Sequence, residues 1–250
     1  MRVLFLSLII ICSSMSGCFG DEDIFAEEKG IPGSLALACL KSNEFTSLKL
    51  HVLYEEGHLP GATDTLKQRI GEVCDKPDGI TVEKTLVNFD HSGSWTSDDV
   101  RDARWERGSD AMDGDILNWY FLFPAGQYED DSVLGVAVDA STVAIFLDSV
   151  DEAEGFLGRP SATEVERSVT VHEAGHLLGL VNLVYNSPTN HEDSSHQGHS
   201  NNEDSVMYWA IESMNVGNFI DGDLPDEFDS DDKADLAGMA DGSIKVYDQI

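Results

Sequence analysis

Basic side chains are scarce in this 250-residue chain: Lys and Arg number 15 against 47 Asp and Glu, a formal net charge of -32. A surface that binds phosphates has to be basic, so the balance argues against nucleic acid as a partner. It speaks for solubility and suits a salty environment. Cysteine is scarce as well, at four. Cys12 and Cys18 fall at the start of the chain, which leaves Cys39 and Cys74 for a folded domain. Two thiols are too few for a cysteine-ligated zinc site; in an oxidising compartment they form one disulfide or stay as a buried free pair. Any metal must therefore be held by histidine and carboxylate. Internal repeats are lacking, and low complexity is confined to the acidic run from Asp221 to Asp235. That run lacks the EF-hand order of ligands and glycine and reads as a solvated helix start.

No apolar run is long enough to span a bilayer. The opening MRVLFLSLIIICSSMSGC instead places Arg2 ahead of an apolar stretch from Val3 to Cys12 and then small residues, the layout of an export signal. Met15-Ser16-Gly17-Cys18 resembles a prokaryotic lipobox, in which the cysteine is lipidated after cleavage; a plain signal peptide or an uncleaved anchor are the alternatives. The length allows one folded domain plus this segment. The expected organisation is a signal peptide over 1–17, a lipid-anchored acidic tether leading in over 18–45, and one domain over 46–250. The product is exported, either held on the outer face of the cell membrane through Cys18 or secreted.

Hydropathy patterning predicts an α+β fold. Leu48–Tyr54 alternates as a half-buried strand does, Thr63–Val73 carries Leu66, Ile70 and Val73 on one helical face, and Ile80–Phe89 returns as a strand. Ser97–Trp105 reads as a helix capped by Ser97. Leu117–Phe123 and Val143–Leu147 read as buried strands, with Val133–Val138 a third lying between them. Thr163–Leu180 is the next helix, with Thr163 and Glu166 spaced as a capping box and Gly179 at its end. The expected architecture is a mixed, twisted β-sheet backed by helices.

That last helix carries His172-Glu173-Ala174-Gly175-His176. Residues four apart share one helical face, so both imidazoles can reach one ion, with Glu173 offset to hold water beside it. Zinc lowers the pKa of a coordinated water to about 7, and a neighbouring carboxylate can take the proton and pass it to a leaving amine. His172 and His176 are the candidate ligands and Glu173 the candidate general base. The set lacks a third ligand.

With Gly179 three residues after His176, the segment resembles the metzincin clan of zinc peptidases, whose motif is HExxHxxGxxH followed by a methionine-containing turn. Asn182 stands where the clan has its third histidine, and a neutral amide oxygen is a weaker zinc donor than imidazole. The segment HEDSSHQGH offers His191, Asp193, His196 and His199 instead. Ser205-Val206-Met207-Tyr208 looks like the methionine turn, which matrixins and archaemetzincins place eight residues after the third histidine; His199 stands at that distance from Met207. The archaemetzincin pattern HCxxxxCxM is matched over His199–Met207 with both cysteines replaced, by Ser200 and Ser205. The resemblance implies an insertion before His199, a ligand set of His172, His176 and His199, a smaller C-terminal subdomain after the turn, and Met207 packed beneath the imidazoles. It puts a second metal of the archaemetzincin type in doubt. Asn182 reads as a loop residue, while His191, Asp193 and His196 are open between surface, supporting and ligating roles.

The resemblance implies a Zn2+-dependent endopeptidase acting on protein or peptide substrates. A non-catalytic zinc-binding surface lipoprotein is the alternative, and a zinc hydrolase of other substrates a third reading. No cysteine switch of a prodomain is evident. Specificity and oligomeric state are not legible.

Overall fold

The computed structural model describes residues 30–155, 160–214, 216 and 223–247. The export signal, Cys18 and most of the acidic tether lie outside the described residues, as do Asp221 and Gly222 of the acidic run. Among those described, no helix is long and apolar enough to cross a membrane.

Helix α1 (Ala36–Leu40) precedes strand β1 (Ser47–Tyr54), helix α2 (Thr63–Val73) and strand β2 (Gly79–Leu86). Helix α3 (Ser97–Arg107) leads to strands β3 (Met112–Asp113), β4 (Ile116–Phe123), β5 (Gly135–Ala137) and β6 (Thr142–Ile145). Helices α4 (Leu147–Glu152), α5 (Ala162–Leu177) and α6 (Ser230–Asp241) complete the chain, with a 3-10 turn at Trp209–Glu212. The sheet order is β2-β1-β4-β6-β5, with β3 pairing antiparallel to β4. Neighbours are parallel except β5, which lies antiparallel on β6. The expected mixed sheet backed by helices is what the chain forms.

Strand β4 is apolar at every position but Asn118 because both of its faces are covered. Leu117, Trp119, Phe121 and Phe123 join the larger core with Leu66 and Ile70 of α2 and Val165 and Val169 of α5. Tyr120 and Leu122 join the smaller one with Val100 and Ala103 of α3. The alternation follows from the two-residue period of a strand. Residues ahead of β1 belong to the larger core too: Leu35, Cys39 and Leu40 are buried, and Cys39 is disulfide-bonded to Cys74 just after α2.

Local details differ from expectation where several capping residues compete. The capping box of α3 is Thr96 with Asp99, one residue before Ser97. That of α5 is Ser161 with Glu164, and Glu166 instead accepts the backbone N–H groups of Gly61 and Ala62 at the start of α2. The β6 segment stops at Ile145 because Phe146 already caps α4. The third apolar segment, which lies between the other two in sequence, is in space the edge strand β5 beyond β6. The acidic run does start a helix, α6, but Asp232 and Asp235 within it are buried rather than solvated.

Candidate metal centre

Helix α5 is buried from Ser168 to Leu177, with β5 and β6 on one side and the Trp209–Glu212 turn on another. Such a helix needs no polar stripe, so polar side chains inside it are there at a cost and must find partners. Gly179 follows its end in the left-handed region, φ 87°, where a side chain is strained, and turns the chain away.

His172 and His176 lie one turn apart, their rings edge to face with centroids 4.8 Å from each other. The ring of His199 lies 5.2 Å from His172 and 5.1 Å from His176. The Nδ1 atoms face backbone carbonyl oxygens, of Val206 at 2.7 Å for His172, of Leu180 at 2.8 Å for His176 and of Gln197 at 3.2 Å for His199. A carbonyl can only accept, so in the neutral rings each Nδ1 carries the proton and each Nε2 presents a lone pair. Backbone geometry thus fixes the tautomer a metal requires.

Glu212 completes the group. One ligand atom from each of His172, His176, His199 and Glu212 falls within 4.8 Å of the others. Glu212 Oε1 is 3.1 Å from His199 Nε2, and its Oε2 is 3.6 Å from His172 Nε2 and 4.0 Å from His176 Nε2. Sequence reasoning did not find this residue. A lone carboxylate in the apolar turn WAIE, directly behind the methionine turn, was the only signal available.

Burial, with the nearby His172 and His199, pushes the His176 imidazole down to about 3, so it is neutral at ordinary pH. Burial lowers His199 as well, but Glu212 opposes this and the net shift is upward. Burial would raise the Glu212 carboxyl; the facing His172 and His199 reverse this and hold it far below the carboxylate range. Glu173 has no such partner. Burial and the charge of Glu212 hold its carboxyl well above the ordinary value. Gly135 of β5 lies against it, and a side chain there would come within 2.9 Å of Glu173 Cγ and Oε1.

No family model matches the chain, and no curated protein does. Two solved structures align with it. The archaemetzincin of Methanopyrus kandleri is 14% identical, over 77% of this chain and 94% of that one, with a TM-score of 0.48. That of Archaeoglobus fulgidus, solved in complex with malonate, is 14% identical over 75% and 98%, with a TM-score of 0.41.

The residues suit a zinc ion. The Nε2 of His172 and both carboxylate oxygens of Glu173 are buried without a hydrogen-bond partner, a costly arrangement unless something binds them. Imidazole and carboxylate are also the donors zinc accepts. The remaining candidates are elsewhere. Asn182, at φ 60°, donates to Glu192 Oε2 at 3.0 Å and accepts the N–H of Ser187 at 2.7 Å, which makes it an organiser of the loop that leads to His199. His196 stacks on Trp209 with centroids 4.1 Å apart, Asp193 accepts the N–H groups of Ser195 and His196, and His191 is buried against Asp235 at 2.9 Å.

Proposed function

We propose that the chain is a zinc-dependent endopeptidase of metzincin type, with His172, His176 and His199 holding the ion and Glu173 as general base. The observation that carries this reading is the convergence of the His172, His176 and His199 imidazoles on one point, with the buried carboxylate of Glu173 carried by the same helix as the first two. Bound there, zinc supplies Lewis acidity and brings the pKa of a coordinated water to about 7. Glu173 would hold at its carboxylate the proton exchanged between the attacking water and the leaving amine. Gly135 leaves the room in which this carboxylate sits. Strand β5 is the edge of the sheet, and an extended peptide pairs with such an edge through its main chain, which supports a protein or peptide substrate.

Export, with a lipid on Cys18, belongs to the same reading and is supported by the sequence of residues 1–18 alone. Glu212 favours a second reading, a non-catalytic zinc-binding surface lipoprotein, because it faces the position a reacting water would need. Incubating an unfolded protein with the purified chain, with and without chelator, separates them. Chelator-sensitive cleavage that Glu173→Gln abolishes while zinc stays bound supports the peptidase. Full turnover by that variant overturns the role of Glu173, and zinc binding without any cleavage favours the second reading.

A further inference from the structure

Four hydrogen-bond acceptors converge on one point at the end of α5. Three are the Nε2 lone pairs of His172, His176 and His199, because their Nδ1 protons are committed to backbone carbonyls. The fourth is the Glu212 carboxylate, 3.1 to 4.0 Å from those nitrogens. In the neutral rings these acceptors face one another with no donor among them, an arrangement that a cation between them relieves. Donors about 2.0 Å from a tetrahedral zinc stand about 3.3 Å apart, and the Glu212 distances bracket that edge.

The main chain holds Glu212 there. Its carbonyl oxygen accepts the N–H of Leu134 at 2.8 Å, and the N–H of Met214 donates to Ser132 at 2.9 Å. These bonds form an antiparallel bridge between Val133 and Ser213, on the segment that runs directly into β5. Ala210 and Ile211 of the same turn are buried in the protein. The side chain of Glu212 is not so confined: it is 32% exposed, so rotation about its own bonds can withdraw the carboxylate while the backbone stays in place.

We propose that Glu212 is the fourth protein ligand of this metal centre, a resident carboxylate that closes the coordination position hydrolysis requires and holds the chain latent until it swings aside. The proposal rests on the zinc reading above and deepens it. A structural zinc site has four protein ligands and a catalytic one keeps a position open. Here one side chain decides between the two. With Glu212 in, Glu173 has no water to deprotonate; with Glu212 out, the three histidines and Glu173 form the open hydrolytic set. Closure and catalysis thus share a single metal and differ by one side-chain rotation.

The test uses the full chain, its Glu212→Ala and Glu212→Gln variants, and His172→Ala, each loaded with zinc or cobalt. Zinc affinity is read by competition with a chromophoric chelator, and access to the metal by titrating azide against the visible absorption of the cobalt form. The expected result is roughly tenfold or greater weakening of zinc binding in Glu212→Ala. Azide should shift the cobalt spectrum of that variant at concentrations that leave the unsubstituted chain unchanged, and peptide hydrolysis should rise. Glu212→Gln keeps the side-chain volume and carries the comparison if the alanine variant does not fold. Zinc affinity within twofold, together with the same azide response in all three chains, overturns the proposal and leaves the three-histidine site intact. Equal cobalt binding by His172→Ala and the unsubstituted chain overturns the zinc reading itself, and the role of Glu212 with it.

Discussion

Gly175 and Met207 share one space: a side chain at 175 would overlap the Met207 thioether, which lies against the helix between His172 and His176. The next carbonyl back, that of Val206, orients His172. The turn through Val206 and Met207 therefore sets both the packing against the helix at Gly175 and the tautomer of His172. Gly175→Ala is expected to force Met207 away and destabilise the fold by about 1–3 kcal/mol, the usual penalty of overpacking. Chemical denaturation of the zinc-loaded chain reads this, and an unchanged midpoint would count against the close packing.

His199 and Asn182 make opposite predictions about metal. His199→Ala removes a member of the cluster, so zinc affinity should fall by more than the ~10–100-fold that loss of a supporting residue costs. Asn182→Ala should retain zinc at one per chain and lower stability by about 1 kcal/mol, through the lost bonds to Glu192 and Ser187. Zinc stoichiometry of the two purified variants checks both, and full binding by His199→Ala would remove it from the ligand set.

Much of the fold was legible because its periods are strong. Strand β1 alternates, α2 repeats Leu66 and Ile70 on one face, and β4 has the length and the apolar, aromatic content of a doubly covered strand. The grouping of His172, Glu173 and His176 follows from the helical repeat alone. What failed was local arbitration. Thr96 and Ser97, or Ser161 and Thr163, offer similar hydroxyls, and only the surrounding packing selects the cap. Glu212 was invisible for a different reason: its role depends on a backbone bridge to Leu134, far away in sequence, and no spacing rule records that. His191 was open between surface and site for the same reason, since its partners Asp232 and Asp235 arrive on a later helix.

The disulfide between Cys39 and Cys74 ties α1 to the end of α2 across a separation of 35 residues. In the loop-closure account a bridge of that span contributes about 4 kcal/mol, mainly by restricting the unfolded chain. Replacing both cysteines by serine should lower the thermal midpoint by several degrees and leave zinc binding in place, because neither residue belongs to the metal cluster. A calorimetric scan of the two chains measures the shift; equal midpoints would show that the bridge adds nothing.

Asp232 gives the stability a pH dependence of definite sign. It accepts the hydroxyl of Ser205 at 2.6 Å, while its other oxygen has no hydrogen-bond partner. Burial, helped by the neighbouring Asp229, pushes its pKa up to about 6 from an ordinary 3.8. Between those two values the folded chain holds a proton that the unfolded chain has released, so this group's contribution to stability falls as pH rises through the window. The full shift corresponds to about 3 kcal/mol of stability present below pH ~4 and lost above pH ~6. Asp232→Asn keeps an acceptor for Ser205 and removes the titrating proton. Its denaturation midpoint, compared with that of the unsubstituted chain from pH 4 to 7, should gain on it steadily with rising pH. Parallel curves for the two zinc-loaded chains would mean that Asp232 ionises in the folded protein as readily as in the unfolded one.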